Sequence, residues 1–401
     1  MKNYFILKTL CRKIYLVGAG DFWYEEGEIS KGKSLRYQLL CFILFSIYIS
    51  MTGLEIIGVF FGDMPNDERS DCRTFAVTHT IVLVKMFSVI LNRKRVKELN
   101  RKLVEICKDH EDKHRLAENY RIMKINVRAY AVSVYGTFVF FIYEGIRKMM
   151  TGSHFITIVT YWPFYEDNSA IAITFRFFTT GVLGVMMAPM ICIDSFAMVT
   201  LIMYKYKFIT LRYYLEGLRE QFDRNNYAGN EEYATDQLHS GLIEGIKMHS
   251  NLIRLSKDID RCVGTVLALQ VCMSSGSAVS LLLQLALSKD ITVGAQLKII
   301  LFVVTLYFLL ALFLCNAGEI TYQASLLSDS IFYCGWHASS MRRDIRRLVL
   351  FSCAAAQRPI IMKAFNMLQL TYGTFIQVSS LAKLVLETGI ITFSQSIKVQ
   401  I

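Results

Sequence analysis

Seven apolar stretches, each 17 to 27 residues long, set the main limit on how this chain can fold. The hydrocarbon core of a bilayer is about 30 Å thick, so a helix that crosses it needs about 20 apolar residues. The composition agrees, because 53% of the residues are hydrophobic and only 19% are charged. The sequence therefore predicts an all-α membrane protein with seven transmembrane helices. The stretches are Leu39–Phe61, Phe75–Leu91, Ile125–Tyr143, Thr179–Met203, Cys262–Leu287, Gln296–Cys315 and Phe365–Ile391.

Basic residues between the stretches are divided unequally between the two sides of the predicted membrane. Segments on one side carry 34 Lys and Arg residues, and segments on the other side carry 6. Cytoplasmic segments of membrane proteins hold the basic excess. We therefore predict a cytoplasmic N-terminus and an outside C-terminus, the reverse of a G-protein-coupled receptor. The basic side consists of the N-terminal arm and residues 92–124 with Arg128, 204–261 and 316–363.

Neither the net charge nor the one metal-like motif indicates a further kind of partner. The charge of +11 follows the membrane topology, so we expect contact with lipid and no nucleic-acid partner. The segment His110-Glu111-Asp112-Lys113-His114 matches H-E-x-x-H, a zinc-peptidase pattern. Its flanks are polar and no third ligand is evident, which favours a solvated charged loop. We therefore predict no metal, no cofactor, no catalytic residues and no enzyme activity.

Ionisable residues inside the apolar stretches are costly to insert, and they are candidates for function. We interpret Glu55, Lys85 and Asp194 mainly as polar locks between helices. His79 is either packed in the same way or lines a cavity. Aromatic residues gather in the outer halves of the second to fourth stretches, where packing, an interfacial belt or a small-ligand pocket would use the same residue types.

An ordered series of motifs in the C-terminal third resembles the insect odorant receptor family. The family's order is C-x-x-G, a serine, a Tyr…Trp pair, Q-K/R-P and then the last span. Two earlier elements agree with the resemblance, Tyr161-Trp162-Pro163-Phe164 and Asp194-Ser195-Phe196, so it extends over nearly the whole chain. The C-terminal motifs are Cys315 with Gly318, Ser325, Tyr333 with Trp336, Gln357-Arg358-Pro359 and the run 365–372.

The resemblance implies a ligand-gated, non-selective cation channel that assembles as a tetramer. A variable odorant-binding subunit would work with a shared co-receptor in the plasma membrane of olfactory sensory neurons. The segment 204–261 is shorter than the co-receptor's corresponding loop, which favours the odorant-binding role. By analogy, residues 1–315 would hold six spans and the ligand pocket, 316–363 cytoplasmic anchor helices, and 364–401 the pore-lining span and outer tail.

The resemblance also suggests which residues carry the function. The ligand, a small volatile and mostly apolar molecule, would contact Phe75, Thr78, His79, Phe140, Tyr143, Phe178 and Val182. A hydrophobic pore gate would lie at Leu386 and Ile390, with the charges of Lys383 and Glu387 beside it and cations passing through. The subunit anchor would include Tyr333, Trp336 and Pro359.

Three other classes of membrane protein remain as alternatives. A gustatory receptor shares the inverted topology, but Thr371, Tyr372 and Gln377 are one residue short of that family's T-Y-x5-Q pattern. A metabotropic receptor would need the opposite orientation, and this sequence does not contain the usual motifs of that class. A transporter or membrane enzyme would need coupled carboxylates or a nucleophile with its base, and neither pattern is present.

Overall fold

The apolar stretches form long helices in the computed structural model of the chain. The structure describes residues 2–27, 29, 34–152, 154–158, 160–287, 293–338, 342–365, 367–380 and 383–384. Six of its helices are long and apolar enough to cross a membrane, and each contains one of the first six predicted spans. The helices are α1 Lys2–Leu16, α2 Leu35–Phe61, α3 Asn66–Leu91, α4 Arg93–Glu105, α5 Lys113–Met150, α6 Ala170–Tyr227, α7 Glu231–Leu287, α8 Val293–Ser325, α9 Leu327–Phe332 and α10 Arg343–Ala356.

Helices α6 and α7 extend far beyond the thickness of a bilayer. Helix α6 has 58 residues, which gives a length of about 87 Å at 1.5 Å per residue. The hydrocarbon core of a bilayer is about 30 Å thick, so more than half of α6 lies outside it. The two helices are joined by residues 228–230, where Gly229 has a φ of +80°. They form a helical hairpin at one end of the molecule, where the segments 92–124 and 316–363 also lie. We call this end of the molecule the basic end.

Helix α6 occupies the centre of the bundle. Residues 190–204 are buried on every side, which is expected only for a helix that is surrounded by others. Pro189 precedes this stretch without ending the helix. Helices α5, α7 and α8 pack around α6 and α3 packs against α7, so polar side chains on the central helix lie away from lipid.

The segment predicted as the start of the seventh span is not helical, and this part of the prediction is wrong. Residues Lys363–Ala364 and Leu368–Gln369 pair as two short antiparallel strands, β1 and β2. Phe365 lies in the turn between them with a φ of +55°. A helix begins only at Tyr372 and is described to residue 380. Most of the remaining predicted span, including Leu386, Glu387 and Ile390, lies outside the described residues.

Glycine at position 318 has a local structural reason near this turn. A Cβ atom added at Gly318 would lie 2.8 Å from the ring of Tyr372. The Tyr372 hydroxyl also donates to Glu319 Oε2 at 2.9 Å. The close approach of α8 to the first helical residue of the last segment therefore requires glycine at position 318.

Candidate ligand cavity

A nearly apolar cavity of about 60 Å³ lies among α3, α5, α6, α7 and α8. It is in the half of the bundle away from the basic end. Aromatic, aliphatic and methionine side chains form most of its wall. An enclosed apolar site with a few polar groups is the usual setting for a small organic ligand. The polar lining residues are Thr78, His79, Thr137, Thr157 and Thr305.

Three phenylalanines from three helices form one wall of the cavity. The ring of Phe141 is edge-on to Phe75 at 5.2 Å and to Phe302 at 5.7 Å, measured between centroids. This geometry places the positive edge of one ring on the negative face of another. The ammonium of Lys298 lies 5.5 Å from the Phe141 centroid and pairs with Asp71, so an ion pair between α8 and α3 lies beside this wall.

Three methionines make another part of the wall deformable. Met187 and Met190 on α6 and Met273 on α7 line the cavity. A methionine side chain is unbranched and has three rotatable bonds, so it adapts to irregular space at low energetic cost. The wall can therefore change shape without moving the backbone of α6.

Three of the seven predicted ligand-binding residues line the cavity. These are Phe75, Thr78 and His79, which lie three and four residues apart and so share one face of α3. Val182 does not line it but packs against the adjoining cluster that contains Phe75 and Leu183.

The structure does not bring Phe140, Tyr143 or Phe178 into the cavity. Tyr143 is 58% exposed and Phe178 is 61% exposed, and Phe140 is half-buried beside Tyr143. The physical reason is helical phase, because at 100° per residue these positions point away from Phe141 and Leu183. These residues were predicted to line the pocket only because they are aromatic. Their spacing along the helix decides whether an aromatic residue faces inward.

Several lining residues were missing from the sequence prediction. On α5 the inward residues Val134, Phe138 and Phe141 follow the i, i+4, i+7 spacing of one helix face, which was a usable signal. The contributions of Met273 and Phe302 from α7 and α8 had no comparable signal, because they depend on how distant helices pack.

Comparison with known proteins assigns the family. The family model described as 7tm odorant receptor matches residues 68–382. This chain belongs to the odorant receptor family. Odorant receptors of this kind are ligand-gated channel receptors, so the protein is not an enzyme. The match also favours this family over the gustatory alternative.

The odorant receptor assignment agrees with solved structures of similar fold. Two structures of the insect olfactory receptor OR5 from Machilis hrabei, one of them in complex with eugenol, each match with a TM-score of 0.78 and 12% identity. Both cover 97% of this chain, which covers 100% of the eugenol-bound chain and 99% of the other. At this identity the likeness establishes the fold. Among curated proteins, none matches this receptor.

A buried acid–base pair borders the cavity of this odorant receptor. Glu55 on α2 is fully buried, and its two carboxylate oxygens lie 2.9 and 2.7 Å from His79 Nδ1. The His79 ring also lines the cavity and stacks on the ring of Phe75, with 5.8 Å between centroids. The pair joins the first predicted span to the second, as the polar-lock interpretation expects.

A second buried polar cluster joins four helices just beyond the cavity, towards the basic end. Lys85 Nζ donates to both carboxylate oxygens of Asp194, at 3.0 and 3.2 Å, and to Gln270 Oε1. The hydroxyl of Tyr130 donates to Asp194 Oδ2 at 2.6 Å. Gln270 in turn donates to Ser274 Oγ at 3.1 Å. We call Lys85, Tyr130, Asp194 and Gln270 the buried tetrad.

Three residues of the H-E-x-x-H segment have separate structural partners. His110 Nε2 lies 3.0 Å from Glu244, and Glu111 accepts from Lys207 Nζ at 2.6 Å. Asp112 caps the start of α5 by accepting from the backbone N–H of Arg115 at 3.0 Å. Within the part of the chain that the structure describes, no group of three His, Cys, Asp or Glu residues is arranged to hold a metal ion.

The remaining predicted functional residues lie at two places. The anchor residues Tyr333 and Pro359 are exposed, and Trp336 is half-buried with its Nε1 donating to the Phe332 carbonyl at 2.8 Å. Lys383 is exposed at a helical position. The other predicted pore residues, Leu386, Glu387 and Ile390, are outside the described residues.

Proposed function

We propose that this receptor is the odorant-binding subunit of a ligand-gated, non-selective cation channel. It works with a shared co-receptor in a heterotetramer in the plasma membrane of olfactory sensory neurons, with its N-terminus in the cytoplasm. The single observation that carries the proposal is the nearly apolar cavity in a member of the odorant receptor family. The short segment 204–261 supports the tuning role over the co-receptor role.

The ligand is a small volatile molecule that enlarges the cavity as it binds. An engineered protein cavity of about 150 Å³ holds benzene, whereas this cavity measures about 60 Å³. Bound odorant therefore displaces wall side chains, and the methionines of α6 and α7 are the most adaptable of these. Affinity comes mainly from apolar burial, at about 25 cal/mol per Å², and is modest for so small a ligand.

Ligand binding opens the pore by favouring the open arrangement of the last span. A ligand shifts that equilibrium only by its difference in affinity between the closed and open states. Leu386 and Ile390 form the hydrophobic gate, which rewets when neighbouring subunits separate. Lys383 and Glu387, four positions apart in the sequence, act on permeating cations at the outer mouth.

The anchor is formed by residues 316–363 at the basic end, which is cytoplasmic. Tyr333, Trp336 and Pro359 contact neighbouring subunits there. The exposed apolar side chains of Leu350 and Phe351 on α10 support this role, because exposed apolar patches mark interaction surfaces.

Whole-cell current tests this function. The receptor is expressed with and without an insect odorant co-receptor and exposed to a panel of volatile compounds. Evoked cation current that requires both chains is the expected result. Current from this chain alone would contradict the tuning role, and no current despite verified surface expression would contradict the channel function.

Two valine variants on one helix make the test specific for the cavity. Val134 lines the cavity, whereas Val132 is 71% exposed on the outer face of α5. Val134→Phe adds four carbon atoms inside the cavity, so we expect the ligand-evoked current to fall at least tenfold. Val132→Phe adds the same atoms towards lipid and should respond like wild type. Equal responses from both variants would place the ligand elsewhere.

A further inference from the structure

The position of His79 gives the cavity one directed polar group. Its Nδ1 is held by both carboxylate oxygens of Glu55, and the ring lines the cavity. Nε2 is on the opposite edge of the imidazole and has no hydrogen-bond partner among the described residues. Because Glu55 occupies Nδ1, Nε2 is the nitrogen of His79 that is left for a ligand in the cavity.

The protonation of this pair follows from its surroundings. A net charge buried within a membrane bundle is costly. The nearby charges of Lys85 and Asp194 compensate each other at 3.0 Å, so they supply nothing to balance Glu55. An arrangement of the Glu55–His79 pair without net charge therefore costs least in these surroundings.

A neutral pair contains two protons, and both ways of placing them lead to the same result. If Glu55 is ionised, the imidazole is protonated on both nitrogens. If Glu55 is protonated, its hydroxyl donates to Nδ1, so the single imidazole proton is on Nε2. In either case Nε2 carries a hydrogen and acts as a donor towards the cavity.

Most of the other polar groups of the cavity already have partners. The Thr137 hydroxyl donates to the Ser133 carbonyl at 2.9 Å and accepts from Thr305 at 3.0 Å. The hydroxyls of Thr157 and Thr180 bond to each other. The Thr78 hydroxyl can donate or accept, so it does not oppose the preference that His79 sets.

We propose that the cavity selects apolar ligands that carry one hydrogen-bond acceptor, such as a carbonyl or ether oxygen, and that His79 Nε2 donates to this atom. The inference rests on the proposed odorant-binding function and makes it more specific. A hydrocarbon of the same shape binds less well, because it leaves the buried N–H unsatisfied.

Matched ligand pairs test the proposal in the receptor expressed with its co-receptor. Each pair is a methyl ketone and the hydrocarbon in which a methylidene group replaces the carbonyl oxygen, for example acetophenone and α-methylstyrene, over a range of sizes. One neutral hydrogen bond corresponds to about fivefold in affinity. We expect the ketones to activate wild type at about fivefold lower concentration than their hydrocarbon partners.

Variants at three positions identify the group responsible. His79→Phe should abolish the ketone preference, and His79→Gln, which retains an N–H donor, should restore part of it. Because His79→Phe leaves Glu55 buried without a partner, the pair replacement Glu55→Met with His79→Phe provides a second form that removes both charges. Phe75→Leu is the matched control, and it should weaken both members of each pair while keeping their ratio.

The outcomes separate this inference from the function on which it rests. A wild-type receptor that responds equally to both members of the pairs overturns the acceptor preference but leaves the channel function intact. An unchanged ketone preference in both His79→Phe forms assigns it to another group and also overturns the proposal. A receptor at the cell surface that responds to no compound in the panel contradicts the proposed function itself.

Discussion

Removing one member of the Lys85–Asp194 pair should destabilise the receptor far more than removing both. Lys85 is 1% exposed and Asp194 is fully buried. Lys85→Met would leave the Asp194 carboxylate with Tyr130 as its remaining donor, and Asp194→Leu would leave a buried ammonium with only Gln270. Breaking a buried ion pair by removing one partner costs about 3–5 kcal/mol.

The double variant Lys85→Met with Asp194→Leu removes both charges at once. The Tyr130 hydroxyl then lacks Asp194 and the Gln270 amide oxygen lacks Lys85, and each unsatisfied group lowers the free energy of unfolding by about 1–3 kcal/mol. The expected loss is therefore about 2–6 kcal/mol, compared with about 6–10 kcal/mol for the two single losses added together. The coupling between the two positions should be several kcal/mol.

Thermal stability in detergent measures this coupling. Fluorescently tagged receptor is heated and the fraction that remains monodisperse is followed by size-exclusion chromatography. Both single variants should lose stability sharply, and the double variant should melt above the value expected from adding their effects. Lys94→Met, at an exposed lysine, is the control and should melt like wild type. Additive effects within about 0.5 kcal/mol would refute the argument that the pair is coupled.

Two further predictions concern the basic end of the molecule. Gly318→Ala should lower surface expression and thermal stability, because the added Cβ would lie 2.8 Å from the Tyr372 ring. Gly136→Ala should be tolerated, because a Cβ added there meets no neighbouring side chain or helix within 4 Å. Equal effects of the two variants would argue against the close contact at Gly318. Burial raises the pKa of the Cys107 thiol to about 11, so at pH 7.5 little thiolate exists, and peptide mapping should find Cys107 unmodified by maleimide until the receptor is unfolded. Rapid labelling of native receptor at neutral pH would contradict its burial.

The sequence predicted the long helices well because hydropathy is a local property. Each of the first six apolar stretches lies within one membrane-length helix. The break between α6 and α7 also has a local signal, because residues 223–230 are rich in Asn, Gly and Asp. These features depend on residues close together in the chain, so a single sequence is sufficient to locate them.

The failure at Phe365 shows where local reasoning ends. The residues after Lys363 are mostly apolar and read as a continuous span, but the backbone turns at Phe365 and pairs Lys363 with Gln369. The backbone N–H of Leu370 then donates to the Met362 carbonyl at 2.9 Å. Strand pairing of this kind satisfies backbone groups before the helix begins at Tyr372, and hydropathy contains no information about it.

The candidate site was predictable only in part, for a related reason. Phe75, Thr78 and His79 could be found because they share one helix face, and because His79 is an ionisable residue inside an apolar stretch. The partner of Lys85 is 109 residues away in the chain, and no single-sequence pattern connects it with Asp194. Glu55, His79, Lys85 and Asp194 could each be identified as candidates, whereas Tyr130 and Gln270 were not. Which pairs these residues form is decided by helix packing.

The distribution of these polar contacts determines which wall of the cavity can yield. The buried tetrad takes one residue from each of the helices α3, α5, α6 and α7. On three of these helices, a cavity-lining residue lies three or four positions from the tetrad residue. The pairs are Val134 with Tyr130 on α5, Met190 with Asp194 on α6 and Met273 with Gln270 on α7. The tetrad therefore holds these walls together by charge-assisted hydrogen bonds, the stronger class.

Helix α8 lines the cavity but contributes no residue to the tetrad in the part of the chain that the structure describes. Its neighbouring bond to α5, between Thr305 and Thr137, is a neutral hydrogen bond of 3.0 Å, which is weaker than the ionic contacts of the tetrad. Helix α8 is also held to α3 by the Lys298–Asp71 ion pair beside the cavity, so a ligand that enlarges the cavity should displace the part of α8 between Lys298 and Gly318 more than the other four helices. Because Gly318 of α8 packs on Tyr372, that displacement reaches the first helical turn of the last segment directly.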